Sequence, residues 1–347
     1  MSEATLPDSK AAPSRQNQIL GLVMRYGFLV LLLGLVVFFM LAADGFASVA
    51  SAVFIFQSVA ITAILALGVT ATLVVGGFDL SIGSVATTAM MASAYAMVIW
   101  GHGAPSAVLI CLALGLVVGL VNGLLVVYMR IPDLLVTLGS MFLLVGLQRI
   151  PTEGRSIATG MALPDGSTAE GTFSAVFLAI GRHRFDFIKP DLIPVSVVFM
   201  VILGLVLWFF LEYTRFGRVM YAIGSNERAA ALAGAPVKNY KIAAYMISGF
   251  FASIGGILLA ARLGRGDVAS GNNLLLDAVA AALIGYAVLG AAKPNAFGTA
   301  IGALFVGVLL QGLTMMNVPY YTQDFVKGGV LMVALMFTFA LSQRSRT

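Results

Sequence analysis

In a chain of 347 residues, 60% hydrophobic side chains and only 10% charged ones fall far from the roughly 25% charge of a soluble domain and indicate a polytopic membrane protein. The net charge of +5 sits in cations spread along short loops rather than in one basic domain, which argues against nucleic-acid binding. The single cysteine, Cys111, rules out a disulfide framework and a thiolate zinc site.

Residues 1–24 read as a disordered cytoplasmic tail, polar and too long before the first apolar run for a cleaved signal. Residues 25–347 form the transmembrane domain. Runs such as 28–43 and 195–211 are apolar on every side, so spanning helices are expected rather than a strand barrel. About ten spans are predicted, at 27–43, 50–75, 82–100, 106–128, 134–150, 191–212, 241–262, 278–292, 296–316 and 324–342. Both termini then fall inside. Twelve of the twenty Lys and Arg lie on that side, as a positive-inside chain requires.

The outer loop 151–190 is too small for a catalytic domain and reads as a lid or contact surface, with a short helix over 173–180 lying on the surface. The inner loop 213–240 carries Arg215, Arg218, Arg228 and Lys238, with Lys241 just beyond, against Glu212 and Glu227. It reads as a docking surface for a soluble partner. Within it, residues 226–233 form a good helix, with Ser225 or Asn226 as cap and Gly234 as stop. The stretch 118–124 leading to 131–133 echoes 306–313 leading to 318–319, each closing a group of four predicted spans. The first group starts outside and the second inside, so an inverted repeat is expected.

Gly76-Gly77-Phe78-Asp79-Leu80-Ser81-Ile82-Gly83-Ser84 interrupts an otherwise apolar stretch. A tight turn with Asp79 or Ser81 capping the next helix is the plain reading, and a broken helix lining a hydrated path is the functional one. Asn122, Gln148 and Gln311 fall inside spans, and Asp277 and Asp324 near span ends. Inter-helix hydrogen bonding explains such groups, and sugar hydroxyls would suit the same donors and acceptors. The candidate translocation path is therefore Asp79, Ser81, Asn122, Gln148, Asp277 and Gln311. The only histidines, His102 and His183, lie in outer loops, so no catalytic triad, metal site or cofactor site is expected. No phosphate-binding G-x-x-x-x-G-K-[ST] run occurs, which leaves ATP to a partner or transport to an ion gradient.

The motif 76–84, then Val121-Asn122-Gly123-Leu124 with Arg130-Ile131-Pro132 and 136–141, then Thr214-Arg215-Phe216-Gly217-Arg218 with 222–234, then 276–281, resemble the successive signatures of ribose-type sugar permeases of bacterial ABC importers. The resemblance implies an all-α fold with inverted four-helix repeats, like that of vitamin B12 importers, in the bacterial inner membrane. It implies a homodimer or heterodimer with a related permease, a cytoplasmic ABC ATPase and a periplasmic sugar-binding protein as partners. It also assigns Arg215, Gly217, Arg218, Asn226, Glu227, Ala230 and Gly234 to ATPase coupling. A monosaccharide or polyol is the implied cargo, with nucleosides, branched-chain amino acids or a gradient-driven transporter as alternatives. The chain departs from the family at 284–295, where members commonly carry a glycine-rich stretch.

Overall fold

The computed structural model describes residues 15–163, 166–185, 193–287 and 293–344, and helices make up most of them. Helix α1 (Arg15–Ala42) begins well before the expected residue 27, so positions 15–24 of the predicted tail are helical; residues 1–14 lie outside the described residues. Ser48 then caps α2 (Val49–Val74) by accepting the Ser51 amide hydrogen at 3.1 Å. Gly76, at φ +75°, stops it. After a break at residues 75–81, α3 (Ile82–Ala94) runs into a single π-helical turn at Tyr95–Ile99.

Helix α4 (Ala104–Tyr128) carries Pro105 in its first turn, where no amide hydrogen bond is lost. Arg130, at φ +54°, turns the chain into α5 (Asp133–Leu147). The next segment holds β1 (Ile157–Ala158), α6 (Ala175–Arg182), β2 (Arg184–Phe185) and β3 (Ile193–Pro194). The predicted short helix is thus present. It does not lie free on the surface: Phe177 is fully buried and Gly181 meets the backbone at Ala261 and Arg262. Burying Phe177 contributes about 1.5–3 kcal/mol, which sets the helix against protein rather than headgroups.

Helix α7 (Val195–Tyr213) leads through Thr214 into two short helices, α8 (Arg215–Ser225) and α9 (Glu227–Leu232). Then come α10 (Val237–Leu263), β4 (Arg265–Gly266), α11 (Gly271–Ala287), α12 (Ala296–Met315) and α13 (Tyr320–Arg344). Of the atypical stretch 284–295, residues 288–292 lie outside the described residues, as does the end of the predicted span 278–292.

Among the described residues seven helical segments are long and apolar enough to cross a membrane: α2, α3 with its π turn, α4, α5 with the following turn, α7, α10 and α12. Shorter apolar stretches lie in α1 and α11. Burial separates centre from rim. In α3 83% of the apolar window is inside the protein, against 22% in α5 and in α7.

The packing has a pattern. Helices α2 and α10 lie against each other; α10 takes α3 and α4 against it, and α2 takes α11 and α12. Helix α5 then packs on α3 and α4, as α13 packs on α11 and α12. Among the described residues two pairs of short strands form, β1 with β4 and β2 with β3, both antiparallel. The first ties the chain after α5 to the chain after α10.

Candidate translocation path and docking loop

The break between α2 and α3 sits where four helices converge, and its carboxylate organises them. One Asp79 oxygen accepts the Ser81 amide at 2.8 Å and the Ser81 hydroxyl at 2.6 Å. The other accepts the Ser248 hydroxyl of α10 at 2.6 Å. Ser81 Oγ in turn accepts from Asn122 Nδ2 of α4 at 3.0 Å, and Asn122 Oδ1 accepts from the Ser140 hydroxyl of α5. Asp79, Ser81 and Asn122 are all buried. A buried carboxylate with three charge-assisted donors is a satisfied group, and the whole chain of bonds from Ser248 to Ser140 bolts α10, the break, α4 and α5 together.

The expected cap takes another form. Ser81 stands at the N-cap of α3 but makes no side-chain bond to the helix amides. Its hydroxyl is committed to Asp79, and Asp79 takes the amide of Ser81 itself, so the carboxylate fixes the turn before the helix rather than the first helical turn. Beside it, the Phe78 amide donates to Asp133 Oδ2 at 2.6 Å, tying the break to the start of α5.

Gln148 lies farther along the same seam. Its Oε1 accepts from Thr88 Oγ1 of α3 at 3.2 Å, and its Nε2 donates to the Val268 carbonyl at 3.4 Å. Ser84, Thr87, Gln148 and Gly271 border a pocket of about 20 Å³, room for a single water. The structure therefore brings Asp79, Ser81 and Asn122 into one network and sets Gln148 on the same α3–α5 seam.

Asp277 and Gln311 stand apart. Asp277 of α11 pairs with Lys327 of α13 at 3.2 Å, and Lys327 also reaches Asp324 at 3.0 Å. Gln311 is partly exposed and makes no hydrogen bond among the described residues. Ser140, Ser248, Thr88 and Asp133 are the members that the sequence reading left out. The α5 group had a signal: Asp133, Thr137, Ser140 and Gln148 recur at helical spacing in a segment whose other positions are mainly apolar.

The loop after α7 is built from caps. Thr214 Oγ1 accepts the Gly217 amide at 3.1 Å, which starts α8, and Asn226 Oδ1 accepts the Ala229 amide at 3.0 Å, which starts α9. Gly217 presses against the backbone of Leu211 so closely that a Cβ has no room. Gly234, at φ +85°, ends α9 as expected. Ala230 is buried, whereas Arg215 and Arg218 are exposed. Among the described residues the Arg218 guanidinium makes one hydrogen bond, to the Tyr213 carbonyl at 3.4 Å. Glu227 is ion-paired with Lys241 of α10.

A second set of bonds anchors α8. Tyr221 donates to the Pro294 carbonyl at 2.8 Å, Lys293 pairs with Glu212 at 2.9 Å, and the same ammonium lies over the Tyr221 ring. Burial, with the Glu212 carboxylate beside it, pushes the Tyr221 hydroxyl well above its ordinary pKa, so it remains a donor at any physiological pH. Helix α8 and the end of α7 are thereby fixed to the residues just before α12. Among the described residues no group of three His, Cys, Asp or Glu is placed to hold a metal ion.

Apolar spanning helices around a satisfied polar seam, with a rigid basic loop at one end, define a membrane permease subunit. Residues 51–335 match the family described as branched-chain amino acid transport system / permease component, and the chain belongs to that family. It is 36% identical over 284 residues to the ribose import permease protein of Escherichia coli K12, covering 81% of this chain and 83% of that one. The xylose transport system permease protein of Haemophilus influenzae is 31% identical over 354 residues, covering 89% and 94%. The ribose import permease protein of Bacillus subtilis is 32% identical over 282 residues, covering 81% and 82%. No solved structure matches the chain significantly.

Proposed function

We propose that this chain is the membrane subunit of a binding-protein-dependent ABC importer for a pentose or a related monosaccharide or polyol. The observation that carries the reading is the extent of the likeness: relatives named for ribose and xylose import align over four-fifths or more of the chain. On this reading the subunit sits in the inner membrane with ten spans and both termini inside. It pairs with a second permease, receives its cargo from a periplasmic sugar-binding protein and is driven by a cytoplasmic ATPase. The reciprocal packing of α2, α3, α4 and α5 with α10, α11, α12 and α13 supports an inverted repeat of two four-helix groups.

The seam from Asp79 to Gln148 is the proposed flank of the path. Asp79 is a positioning residue in this reading, because a buried carboxylate already holding three donors has little left to offer a sugar. Its work is to set the angle at which α3 leaves the break. Helices α8 and α9 form the ATPase contact, presenting Arg215, Arg218 and Arg228 on a platform that Tyr221 and Lys293 fix to the second inner corner.

The test is uptake of labelled ribose and xylose by cells expressing the chain with its ATPase and binding protein. Pentose uptake that stops on ATP depletion is expected. Uptake of labelled leucine in place of pentose, or pentose uptake that survives ATP depletion and collapses with the proton gradient, overturns the reading.

A further inference from the structure

Below the break lies a cavity of about 510 Å³ that the polar seam does not use. It is bounded by Gly76 and Gly77, by the loop from Arg130 to Asp133, by Glu227 of α9 and by the first two turns of α10. Three cations border it: Arg130, Lys238 and Lys241. Lys241 is paired with Glu227 and Lys238 lies over the Tyr128 ring, but the Arg130 guanidinium has neither ion pair nor hydrogen bond among the described residues. Arg130 is held there by a left-handed backbone, at φ +54°, a conformation that costs about 1 kcal/mol or more and recurs at ligand sites.

Two long helices start at the cavity wall, α10 after Pro236 and α5 after Pro132, and neither has a side-chain cap. The amides of Val237, Asn239 and Leu135 are bonded to backbone carbonyls, which leaves those of Asp133, Leu134 and Lys238 as donors with the positive ends of both helix dipoles behind them. A helix start alone is no site. The independent sign is Tyr245. It borders the cavity, its side chain is 1% exposed, and its hydroxyl makes no hydrogen bond. The Asp133 carboxylate and the Phe78 amide, bonded to each other, lie beside it. It reaches the wall at Gly77, where a Cβ would come within 2.8 Å of it. An unsatisfied buried hydroxyl costs about 1–3 kcal/mol, a cost that an acceptor in the cavity removes.

We infer that this cavity is a binding site for a phosphate group. A tetrahedral anion suits what surrounds it: one unpaired guanidinium, two ammonium groups, uncapped amides and a spare hydroxyl donor. Asp133 and Glu227 also border the cavity, the latter paired with Lys241, and against them the three cations leave a surplus of one positive charge. The phosphate belongs either to a soluble ester or to an anionic lipid headgroup at the membrane surface. Neither source depends on what the chain transports.

The purified full-length chain separates these outcomes. Thermal unfolding in detergent, followed against inorganic phosphate at matched ionic strength, is expected to shift upward and saturate. Arg130→Gln and Lys238→Gln, both at exposed positions, are expected to weaken the apparent affinity by about tenfold each at unchanged unfolding temperature without phosphate, and Tyr245→Phe to weaken it less while raising that temperature, since it deletes the unpaired hydroxyl. The same proteins in nanodiscs of phosphatidylglycerol and of phosphatidylcholine form the second arm. Stabilisation by phosphatidylglycerol that Arg130→Gln removes, with no response to inorganic phosphate, assigns the headgroup as source. Equal responses of wild type and the Arg130→Gln/Lys238→Gln double variant in both arms, or no response in either, overturn the site.

Discussion

At the scale of single residues, the break at Asp79 shows which polar groups a sequence reveals. Asp79, Ser81 and Asn122 stand out because they interrupt apolar runs, whereas Ser140 and Ser248 do not, since an intrahelical serine ordinarily satisfies itself on its own helix. Ser248 is 169 positions from Asp79, a distance that only the fold closes. Asp79→Ala removes the common acceptor and leaves the Ser81 amide and two buried hydroxyls unpaired. A loss of about 3 kcal/mol or more and little protein in the membrane are expected. Asp79→Asn keeps the shape and one acceptor oxygen, so normal abundance with strongly reduced uptake is expected. Full uptake in Asp79→Asn at wild-type abundance contradicts the positioning role.

A second carboxylate gives a pH dependence beside the β1–β4 pair. Burial works against the charge of Asp267, but it accepts from the Ala269 amide at 3.1 Å, from Ser270 Oγ at 2.9 Å and from Ser156 Oγ at 3.3 Å, with Arg265 nearby, and its pKa lies below the ordinary 3.8. A depressed pKa means that the stabilisation is complete above that ordinary value and fades as the pH falls through the folded one. Asp267→Asn should therefore loosen the β1–β4 pair at neutral pH, and its difference from wild type should shrink as the pH falls below 3.8. Hydrogen exchange at residues 157–158 and 265–266 reads this directly, and equal protection of both proteins at pH 7 rejects it.

At the scale of elements, α4 and α10 meet on small residues. Gly115 and Gly119 of α4 leave no room for a Cβ against the backbone of Gly249 and Tyr245, and Gly249 faces Gly115 in the same way. This is the close approach that spaced glycines permit between spanning helices, where packing rather than exclusion of water drives association. Gly115→Ala is expected to destabilise by about 1–3 kcal/mol, because both backbones must move apart. Gly139→Ala on α5, with open space around it, should be neutral. Unfolding of both variants in detergent tests the contrast; equal unfolding temperatures leave the contact without consequence.

The helices themselves were legible, since apolar runs at membrane length admit little else. Their ends were less so. Helix α1 starts twelve residues early, at Arg15 rather than 27, because its first four residues are polar and Arg25 separates the short apolar run 19–24 from the longer one that follows. The burial of α6 was illegible because an eight-residue apolar helix looks the same on a membrane surface as against α10.

At the scale of the whole molecule, the docking loop was the clearest part of the sequence: its charge, caps and stop all act locally. What sequence could not give is the anchoring of α8 through Tyr221, Lys293 and Pro294, which joins segments 73 residues apart or more. That anchoring matters for the coupling role, because a platform that yields cannot transmit a push from an ATPase to the helices. Two variants separate contact from rigidity. Arg218→Glu reverses an exposed charge whose one hydrogen bond is a long contact to Tyr213, so folding should persist while the ATPase fails to dock. Gly234→Pro demands φ near −65° where the chain has +85° and deletes the amide that donates to Ala231. It should unravel the end of α9 without touching the spanning helices. Recovery of the ATPase subunit with membranes carrying each variant, alongside uptake, is the measurement. Loss of both recruitment and uptake is expected in each case, with the permease itself at normal abundance. Normal recruitment and uptake in both variants removes α8 and α9 from the coupling pathway.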